Sequence, residues 1–318
     1  MINGIINVYK EKGFTSHDVV AKLRGILKQK KIGHTGTLDP DATGVLPVCI
    51  GNATKLCDLL TDKDKTYETV LLLGKVTDTQ DITGEVIEES PVTVSEAEIE
   101  NVIRRFIGPI EQVPPMYSAL KVNGRKLYEL AREGKVVERK ARPVIIHDIT
   151  IHSIVINGET NEVRMSVSCS KGTYIRTLCH DIGEALGCGG CMKSLVRTKV
   201  SRFLLEDALT LTKIEELQAE GNLSDKIILV DEMFADYPSV CVNEEGNRYL
   251  VNGNPLTYNH LRNSEIWETL ILKTDPQVKV YNLDGQFTGI YQMKVNKQGS
   301  EYSNDKDNYY LKTVKMFL

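Results

Sequence analysis

The glycine-rich segment at residues 33–47 lacks the short motifs of several common chemistries. It matches neither G-x-x-x-x-G-K-[ST] nor G-x-G-x-x-G, so a loop that cradles nucleotide phosphates is not indicated. The G-x-S-x-G turn of a serine nucleophile is absent as well. No apolar run approaches the ~20 residues of a membrane-spanning helix, and the first residues show no basic-then-apolar signal pattern. We therefore expect a cytoplasmic protein that does not associate with a membrane.

A metal site is also not indicated. The chain has seven cysteines, an odd number that favours reduced thiols when no signal segment is present. Cys188 and Cys191 form a C-x-x-C pair, but a zinc site needs a second pair of ligands at suitable spacing. Cys179 and His180 are adjacent in a predicted helix, where neighbouring side chains point apart. We expect a tight turn here and no metal.

The chain has no excess of positive charge, since its formal net charge is −4. Basic residues are nevertheless concentrated at 22–31, 121–142 and 193–202, and acidic ones at 78–100, 205–236 and 301–307. Such runs are typical of solvated faces. Three basic stretches that converged in the fold would instead form a groove for a polyanion, with the acidic stretches turned away.

The 318 residues suggest two domains, or one large domain with an appendage. Helical periodicity predicts helices at 17–29, capped by Ser16, and at 173–186, ending at Gly187. Further helices are predicted after the capping box Ser95–Glu98, at 125–133, and from Thr212 to near Gly221. Long apolar strands are not regularly alternated with these helices, which favours an α+β fold with a mixed or antiparallel sheet. From residue 237, Asn-Gly and Asp-Gly turns between short apolar runs predict a small all-β domain.

Asp39 is the first candidate functional residue. Glycines around it permit close backbone approach, and the following Pro40 drives Asp39 into an extended or turn conformation. A rigid loop can present a carboxylate to a ligand, although an Asp-Pro turn between two core elements would show the same pattern.

Three further segments carry residues suited to a ring attached to phosphates. Tyr67 lies just inside a predicted strand, and Lys171, Tyr174 and Arg176 lie where a strand ends and a helix begins. Tyrosine stacks on bases and arginine pairs with carboxylate or phosphate. The alternatives are a half-buried strand aromatic for Tyr67 and a helix-face ion pair for Arg176.

These segments together resemble the bacterial TruB family of tRNA pseudouridine synthases. The resemblance runs in family order through GHTGTLDPDATGVLPVCIGNATKL, KTYETVLLLG, TDTQDITGE, PPMYSALKVNGRKLYELAREG, CSKGTYIRTLCHDIGEALGCGG and SLVRTKVSRF. It covers roughly the first 235 residues. It implies a pseudouridine synthase catalytic domain at 1–236, followed by a small β domain at 237–318 of PUA-like, RNA-binding type.

The resemblance also implies an activity: isomerisation of the T-loop uridine of tRNA (position 55) to pseudouridine, without cofactor or metal. Asp39 falls on the family nucleophile, which attacks either C1′ of the ribose or C6 of the uracil. Arg176 falls on the arginine that pairs with it, and Tyr67 on the tyrosine that stacks on the base. His34 and Leu195 fall on residues beside the flipped-out base, and Lys171 and Tyr174 are expected to contact the RNA.

Two other classes of function remain open at this point. A non-catalytic tRNA-binding or RNA-chaperone protein would need the basic stretches but not Asp39. A glycosidase would need a cooperating pair of carboxylates, and Asp39 and Asp41 point to opposite sides of an extended loop. We expect a monomer whose partner is the T-arm of tRNA.

Overall fold

The structure, a computed structural model, describes residues 2–122, 124–157, 160–295 and 306–318. The helices within these ranges are α1 (Ser16–Leu27), α2 (Cys57–Thr61), α3 (Glu96–Arg104), α4 (Leu127–Arg132), α5 (Ile175–Leu186), α6 (Leu211–Glu220), α7 (Glu244–Leu250) and α8 (Ile266–Ile271). The strands are β1 (Gly4–Lys10), β2 (Ile32–His34), β3 (Thr43–Ile50), β4 (Lys65–Leu73), β5 (Lys75–Thr77), β6 (Val86–Glu89), β7 (Gly108–Gln112), β8 (Lys121–Val122), β9 (Arg125–Lys126), β10 (Arg142–Ile156), β11 (Asn161–Cys169), β12 (Gly190–Val200), β13 (Phe203–Leu204), β14 (Ser239–Cys241), β15 (Gln277–Tyr281), β16 (Phe287–Val295) and β17 (Tyr309–Met316).

A nine-stranded sheet organises the first 204 residues. Its strand order is β1-β3-β12-β4-β11-β10-β7, with β2 paired to β3 and β13 paired to β12. All pairs are antiparallel except β3–β12, which is a short parallel contact. The predicted α+β class with a mixed, largely antiparallel sheet is confirmed.

Helices cover parts of this sheet through apolar stripes. Ile99 and Ile103 of α3, with Leu178 and Ile182 of α5, join the core of β4, β10 and β11. A separate core forms where α1 and α6 pack on β1 and β3. In β4 every second residue is buried, from Lys65 to Leu73, as expected for a strand with one face toward a core.

The helix boundaries largely follow the sequence signals, but two caps differ. The capping box Ser95–Glu98 and the glycine C-caps Gly187 and Gly221 are confirmed. Helix α1 is capped by Thr15 rather than Ser16, and α6 is capped by Thr210 rather than Thr212. The hydroxyl of Ser16 is buried instead and accepts a hydrogen bond from the backbone N–H of Leu38 (3.0 Å).

The C-terminal part contains a four-stranded sheet of order β14-β15-β16-β17, antiparallel except for β14–β15. The predicted small β domain is confirmed, with an addition: α7 and α8 pack against the sheet, and Trp267 of α8 is fully buried in its core. These helices have seven and six residues, too short for a clear 3.6-residue period.

A shared core joins the two parts of the chain. Ile290 of β16 and Phe317, directly after β17, pack in one cluster with Ile5, Val45 and Cys49 of the large sheet. Most of the acidic stretch at 301–307 lies outside the described residues. Of the helices in the described ranges, none has the length and apolarity to cross a bilayer.

Candidate active site

Asp39 lies on the loop between β2 and β3, which is anchored to the start of α1. The Asp39 carbonyl accepts a hydrogen bond from the N–H of Ala42 (3.1 Å), which closes a turn. The Pro40 carbonyl accepts one from the N–H of Gly13 (2.9 Å), and Leu38 donates to Ser16. The loop is therefore held at several points by groups distant in sequence.

Two buried cations, Arg197 and Lys10, hold this loop in place by hydrogen bonds to backbone carbonyls. The Arg197 side chain, 2% exposed, donates from Nε to the Val45 carbonyl (2.7 Å) and from its terminal nitrogens to the Gly36 and Thr37 carbonyls (3.3 and 3.4 Å). The Lys10 ammonium, fully buried, donates to the carbonyls of Ala42 (2.6 Å), Pro40 (3.0 Å) and Glu11 (3.2 Å). Burial lowers the pKa of Lys10 to about 8.

Arg176 holds the Asp39 carboxylate. Its Nε lies 2.9 Å from Asp39 Oδ2, and a terminal nitrogen lies 3.2 Å from Oδ1, which is the forked geometry that guanidinium favours. Arg176 is 5% exposed, and its remaining donors bind the carbonyls of Thr79 (3.0 Å) and Tyr117 (2.8 Å). The Asp39 side chain itself is 39% exposed, so the carboxylate can still meet a ligand.

A second carboxylate, Asp81, lies beside this pair. Its Oδ2 is 3.8 Å from Arg176 Nε, and Oδ1 accepts hydrogen bonds from the Thr79 hydroxyl (2.9 Å) and the Thr83 backbone (3.0 Å). Burial raises the pKa of Asp39, the Arg176 guanidinium opposes that rise, and the charge of Asp81 adds to it.

Tyr67 and Leu195 share a face of the large sheet next to the Asp39 loop. In the β4–β12 register, Tyr67 is opposite Arg197 and Leu195 is opposite Thr69. Directly opposite side chains in an antiparallel pair project to the same side. Tyr67, 8% exposed, packs in one cluster with Leu38 of the loop, and burial raises the pKa of its hydroxyl.

His34 ends β2 and packs against a second imidazole. Its Nδ1 accepts the Gly36 N–H (3.2 Å), and its ring meets the His17 ring edge to face, with centroids 5.3 Å apart. Burial lowers the pKa of His34 to about 4, with contributions from His17 and Arg197. His34 is therefore neutral at pH 7, with its proton on Nε2.

Tyr174 lies near the Asp39–Arg176 pair, whereas Lys171 has another partner. Tyr174 precedes α5, and its backbone N–H and carbonyl both bond to the Gln112 side chain (3.0 and 3.2 Å). Burial raises the pKa of the Tyr174 hydroxyl. Lys171 is exposed and forms an ion pair with Asp62 (2.9 Å) rather than with Asp39.

Family models match two adjoining segments of the chain. The model described as "TruB family pseudouridylate synthase (N terminal domain)" matches residues 24–175. The model described as "tRNA pseudouridylate synthase B C-terminal domain" matches residues 176–235. The chain belongs to the TruB family.

Curated relatives named tRNA pseudouridine synthase B are similar over 92–100% of the chain. A tRNA pseudouridine synthase B of Lachnoclostridium phytofermentans is 56% identical and covers 100% of both chains. A tRNA pseudouridine synthase B of Alkaliphilus oremlandii is 44% identical over 100% of this chain and 99% of that protein. One from Bacillus cereus is 44% identical over 92% of this chain and 97% of its own length.

Solved structures show the same fold at lower identity. A chain in the "Crystal Structure of a Cbf5-Nop10-Gar1 Complex" superposes with a TM-score of 0.69 at 26% identity, covering 99% of this chain and 85% of that chain. A chain in a structure of an H/ACA RNP bound to a substrate RNA containing 2′-deoxyuridine superposes with a TM-score of 0.68 at 24% identity, with the same coverage. The second likeness supports the fold alone.

Sequence reasoning missed three residues that shape this TruB site: Lys10, Asp81 and Arg197. In the sequence, Arg197 is one cation of a basic stretch, and Lys10 lies outside the three basic stretches. The available signal is a cation that directly follows apolar or aromatic residues in a strand, VYK for Lys10 and LVR for Arg197, since a cation buried with such residues needs carbonyl partners. Asp81 lies in TDTQDITGE, a segment of the family resemblance from which no residue was chosen.

The positions of the basic and acidic stretches agree only in part with the polyanion-binding groove predicted from the sequence. Arg197 is buried and holds backbone carbonyls, so it is not available to a phosphate. The acidic stretch at 78–100 starts at the site, since Asp81 is beside Arg176, and so it is not turned away. Other basic residues form surface ion pairs: Arg125 and Lys135 with Glu133, Lys193 with Glu162, and Arg202 with Glu232.

Cys188 and Cys191 are buried thiols at the turn that leads from α5 into β12. Gly187 and Gly189 in this turn have φ of 74° and 70°, in agreement with the predicted tight turn. In the described part of the chain, no group of three or more His, Cys, Asp or Glu residues is arranged to hold a metal ion.

Proposed function

We propose that this protein isomerises the T-loop uridine of tRNA (position 55) to pseudouridine, with Asp39 as the nucleophile. The observation that carries the proposal is the Asp39 carboxylate, which is forked to a nearly buried Arg176 yet open to a ligand. The names of the relatives, tRNA pseudouridine synthase B, support the reaction and the class of RNA.

The neighbours of Asp39 suit a reaction in which a carboxylate adds to the substrate and leaves again. Arg176 keeps the carboxylate oriented and favours its ionised form against the effect of burial. Attack at C1′ of the ribose would detach uracil directly, and attack at C6 would give an adduct. In both cases the base must turn and rejoin the ribose through C5.

Tyr67, Leu195 and His34 would bind the extruded base. Tyr67 offers an aromatic face, Leu195 an apolar contact on the same face of the sheet, and neutral His34 an Nε2–H donor. Extrusion is required because the reacting atoms are inaccessible in a stacked loop. Tyr174 borders this space, and Lys171 would reach the RNA backbone from the turn before α5.

The remaining parts of the proposal concern the T-arm and the cell. We propose that the basic stretches contact phosphates of the T-arm and that the protein acts as a cytoplasmic monomer. Residues 237–318 would form a PUA-like RNA-binding domain, with residues 1–236 as the catalytic domain. In the C-terminal sheet, the face opposite the Trp267 core carries Lys279, Lys294, Tyr310 and Lys312, which alternate with core residues along their strands.

Asp39→Asn tests the nucleophile. The amide keeps the shape of the side chain but cannot act as the carboxylate, so we expect pseudouridine formation in T-arm RNA to be abolished while Kd changes by no more than a few-fold. Pseudouridine would be assayed under single-turnover conditions, with binding measured separately by filter retention.

Asp41→Asn is the matched control, because Asp41 is an exposed carboxylate of the same loop. It should retain nearly the parent rate. Turnover by Asp39→Asn at a tenth of the parent rate would contradict the nucleophile assignment. Tight binding of T-arm RNA by a parent protein that forms no pseudouridine would instead favour the non-catalytic RNA-binding function.

A further inference from the structure

Cys49 and Cys57 lie together where β2, β3 and the 3-10 helical segment Gly51–Leu56 meet. Cys49 is on β3 and is the cross-strand partner of Gly33 on β2. The Cys57 Sγ lies 3.0 Å from the position that a Cβ on Gly33 would occupy. The Cβ atoms of directly opposite residues lie ~4.5–5.5 Å apart on the same face of a sheet. The Cys57 sulfur therefore lies on the face of the sheet that carries the Cys49 side chain. The two thiols are therefore neighbours.

The two thiols differ in access and in acidity. Cys49 is fully buried, whereas Cys57 is half-buried at the start of α2. The neighbouring Cys49 thiol lowers the pKa of Cys57, and the Cys57 thiol, together with burial, raises the pKa of Cys49. An accessible thiol of lowered pKa with a second thiol beside it is the arrangement of an attacking and a resolving cysteine.

The buried cysteines elsewhere lack this combination. Burial raises the pKa of Cys169 and of Cys191 to about 11 and that of Cys179 to about 12. Burial also raises the pKa of Cys188. High pKa and lack of access both slow the first attack on an external disulfide, whereas a second thiol that attacks a neighbouring mixed disulfide needs no access to solvent.

We propose that Cys49 and Cys57 form a dithiol modification site, at which a low-molecular-weight disulfide such as oxidised glutathione closes an intrachain disulfide. The Cys57 thiolate attacks one glutathione sulfur, forms a mixed disulfide and expels the first glutathione thiolate. Cys49 then loses its proton, attacks Cys57 Sγ and expels the second glutathione thiolate. The protein loses two electrons and two protons, and two molecules of reduced glutathione carry them away.

The test uses the full chain and oxidised glutathione. Titration of thiols in denaturant should fall from seven per chain to five. Trypsin cleaves after Lys55, between the two cysteines, so the disulfide should join the peptides 32–55 and 56–63. This joined peptide should disappear on reduction before digestion.

Single variants separate the two roles. Cys49→Ser should accumulate one stable glutathione adduct on Cys57, since nothing resolves it, whereas Cys57→Ser should keep six free thiols under the same treatment. Cys241→Ser is the matched control, because Cys241 is also a partly exposed free cysteine, and it should still form the joined peptide. A stable glutathione adduct on Cys57 of the parent, or a parent that keeps all seven thiols, would overturn the proposal.

Discussion

At the scale of single residues, the site is governed by opposing effects on one carboxylate. Burial and the charge of Asp81 favour protonated Asp39, whereas Arg176 favours the ionised form. The raised pKa means that protonation of Asp39 on acidification begins at a higher pH than for a free aspartate. A nucleophile must be ionised, so this balance limits the proposed reaction on its acidic side.

Replacement of Asp81 should shift the pH below which the proposed reaction slows. With Asp81→Asn the like charge is lost, so the pKa of Asp39 should fall and the acidic limb of the pH–rate profile should shift to lower pH. Single-turnover rates on T-arm RNA between pH 4 and pH 8 would show this, independently of any change in the maximal rate. Any effect of His34 protonation on the rate is present in the parent and in Asp81→Asn alike, so it does not alter the shift between their pH–rate profiles. A limb that stays in place, or moves to higher pH, would show that Asp81 does not act through its charge.

His34 should make folding stability depend on pH. Its pKa is about 4 in the folded chain and about 6.5 when unfolded, so the unfolded state binds more protons between these values. Stability should therefore decline as the pH is lowered from 6.5 to 4 and lose no more from this group below 4. His34→Gln should lack this loss, worth about 3 kcal/mol between pH 7 and pH 4. Urea titrations at pH 7, 6, 5 and 4 would measure it.

His152→Gln serves as the comparison, because His152 is exposed on β10. The free energy of unfolding of His152→Gln should change with pH in the same way as that of the parent. If His34→Gln also ran parallel to the parent, His34 would not be held neutral in the folded chain.

At the scale of elements, the site depends on how closely β3 approaches β12. Gly44 is the partner of Arg197 in the short parallel contact, and its φ is +107°. A Cβ at Gly44 would lie 2.2 Å from the Arg197 carbonyl oxygen, a backbone atom that cannot simply move aside. The same contact brings the Arg197 guanidinium to the carbonyls of the Asp39 loop.

Gly44→Ala should consequently destabilise the protein by more than left-handed strain alone. Strain at a positive φ costs about 1–3 kcal/mol, and the clash should add to it by forcing β3 and β12 apart. Gly134→Ala isolates the strain, because Gly134 has φ of +70° and open space around its Cβ position. Urea unfolding should place Gly44→Ala at least about 2 kcal/mol below Gly134→Ala. Equal losses of stability in Gly44→Ala and Gly134→Ala would show that β3 and β12 can move apart without a cost in free energy.

At the scale of the whole molecule, a net-acidic protein must bind a polyanion. Each basic stretch starts from an element that also contacts the site. The first continues from α1, whose Ser16 binds Leu38, and the second begins shortly after Tyr117, whose carbonyl binds Arg176. The third is on β12 with Arg197. We therefore expect exposed cations on these stretches to contact RNA bound at Asp39, although the net charge is negative.

Affinity for T-arm RNA should accordingly fall steeply with salt. Each phosphate contact contributes roughly 0.7–0.9 to the log–log slope, so Lys121→Ala, an exposed residue of the second stretch, should weaken binding and flatten the slope by about one. The rate at saturating RNA should hardly change, because such contacts position the RNA. Lys213→Ala on α6, outside the three stretches, is the control. Identical slopes for parent and Lys121→Ala would remove Lys121 from the interface.

Local signals in the sequence were enough for the α+β class, the largely antiparallel sheet and most helix ends. Gly187 and Gly221 stop α5 and α6 because glycine alone adopts the left-handed C-cap easily. The loop around Asp39 was also predictable, since proline and glycine restrict the backbone locally. The short α7 and α8 were missed because their helicity depends on burial against the C-terminal sheet.

The buried cations were decided only by the tertiary structure. Lysine and arginine are almost always exposed unless paired, and the carbonyls that pair with Lys10 and Arg197 come from the loop around Asp39, about 30 and 150–160 residues away along the chain. Asp81 likewise reaches Arg176 only because the segment after β5 bridges to Met192 of β12 and bonds to Thr177 of α5. The sequence by itself determined which carboxylate is presented on a rigid loop. Folding decided which charges surround it, because partners so distant in sequence leave no periodicity or turn signal near either residue.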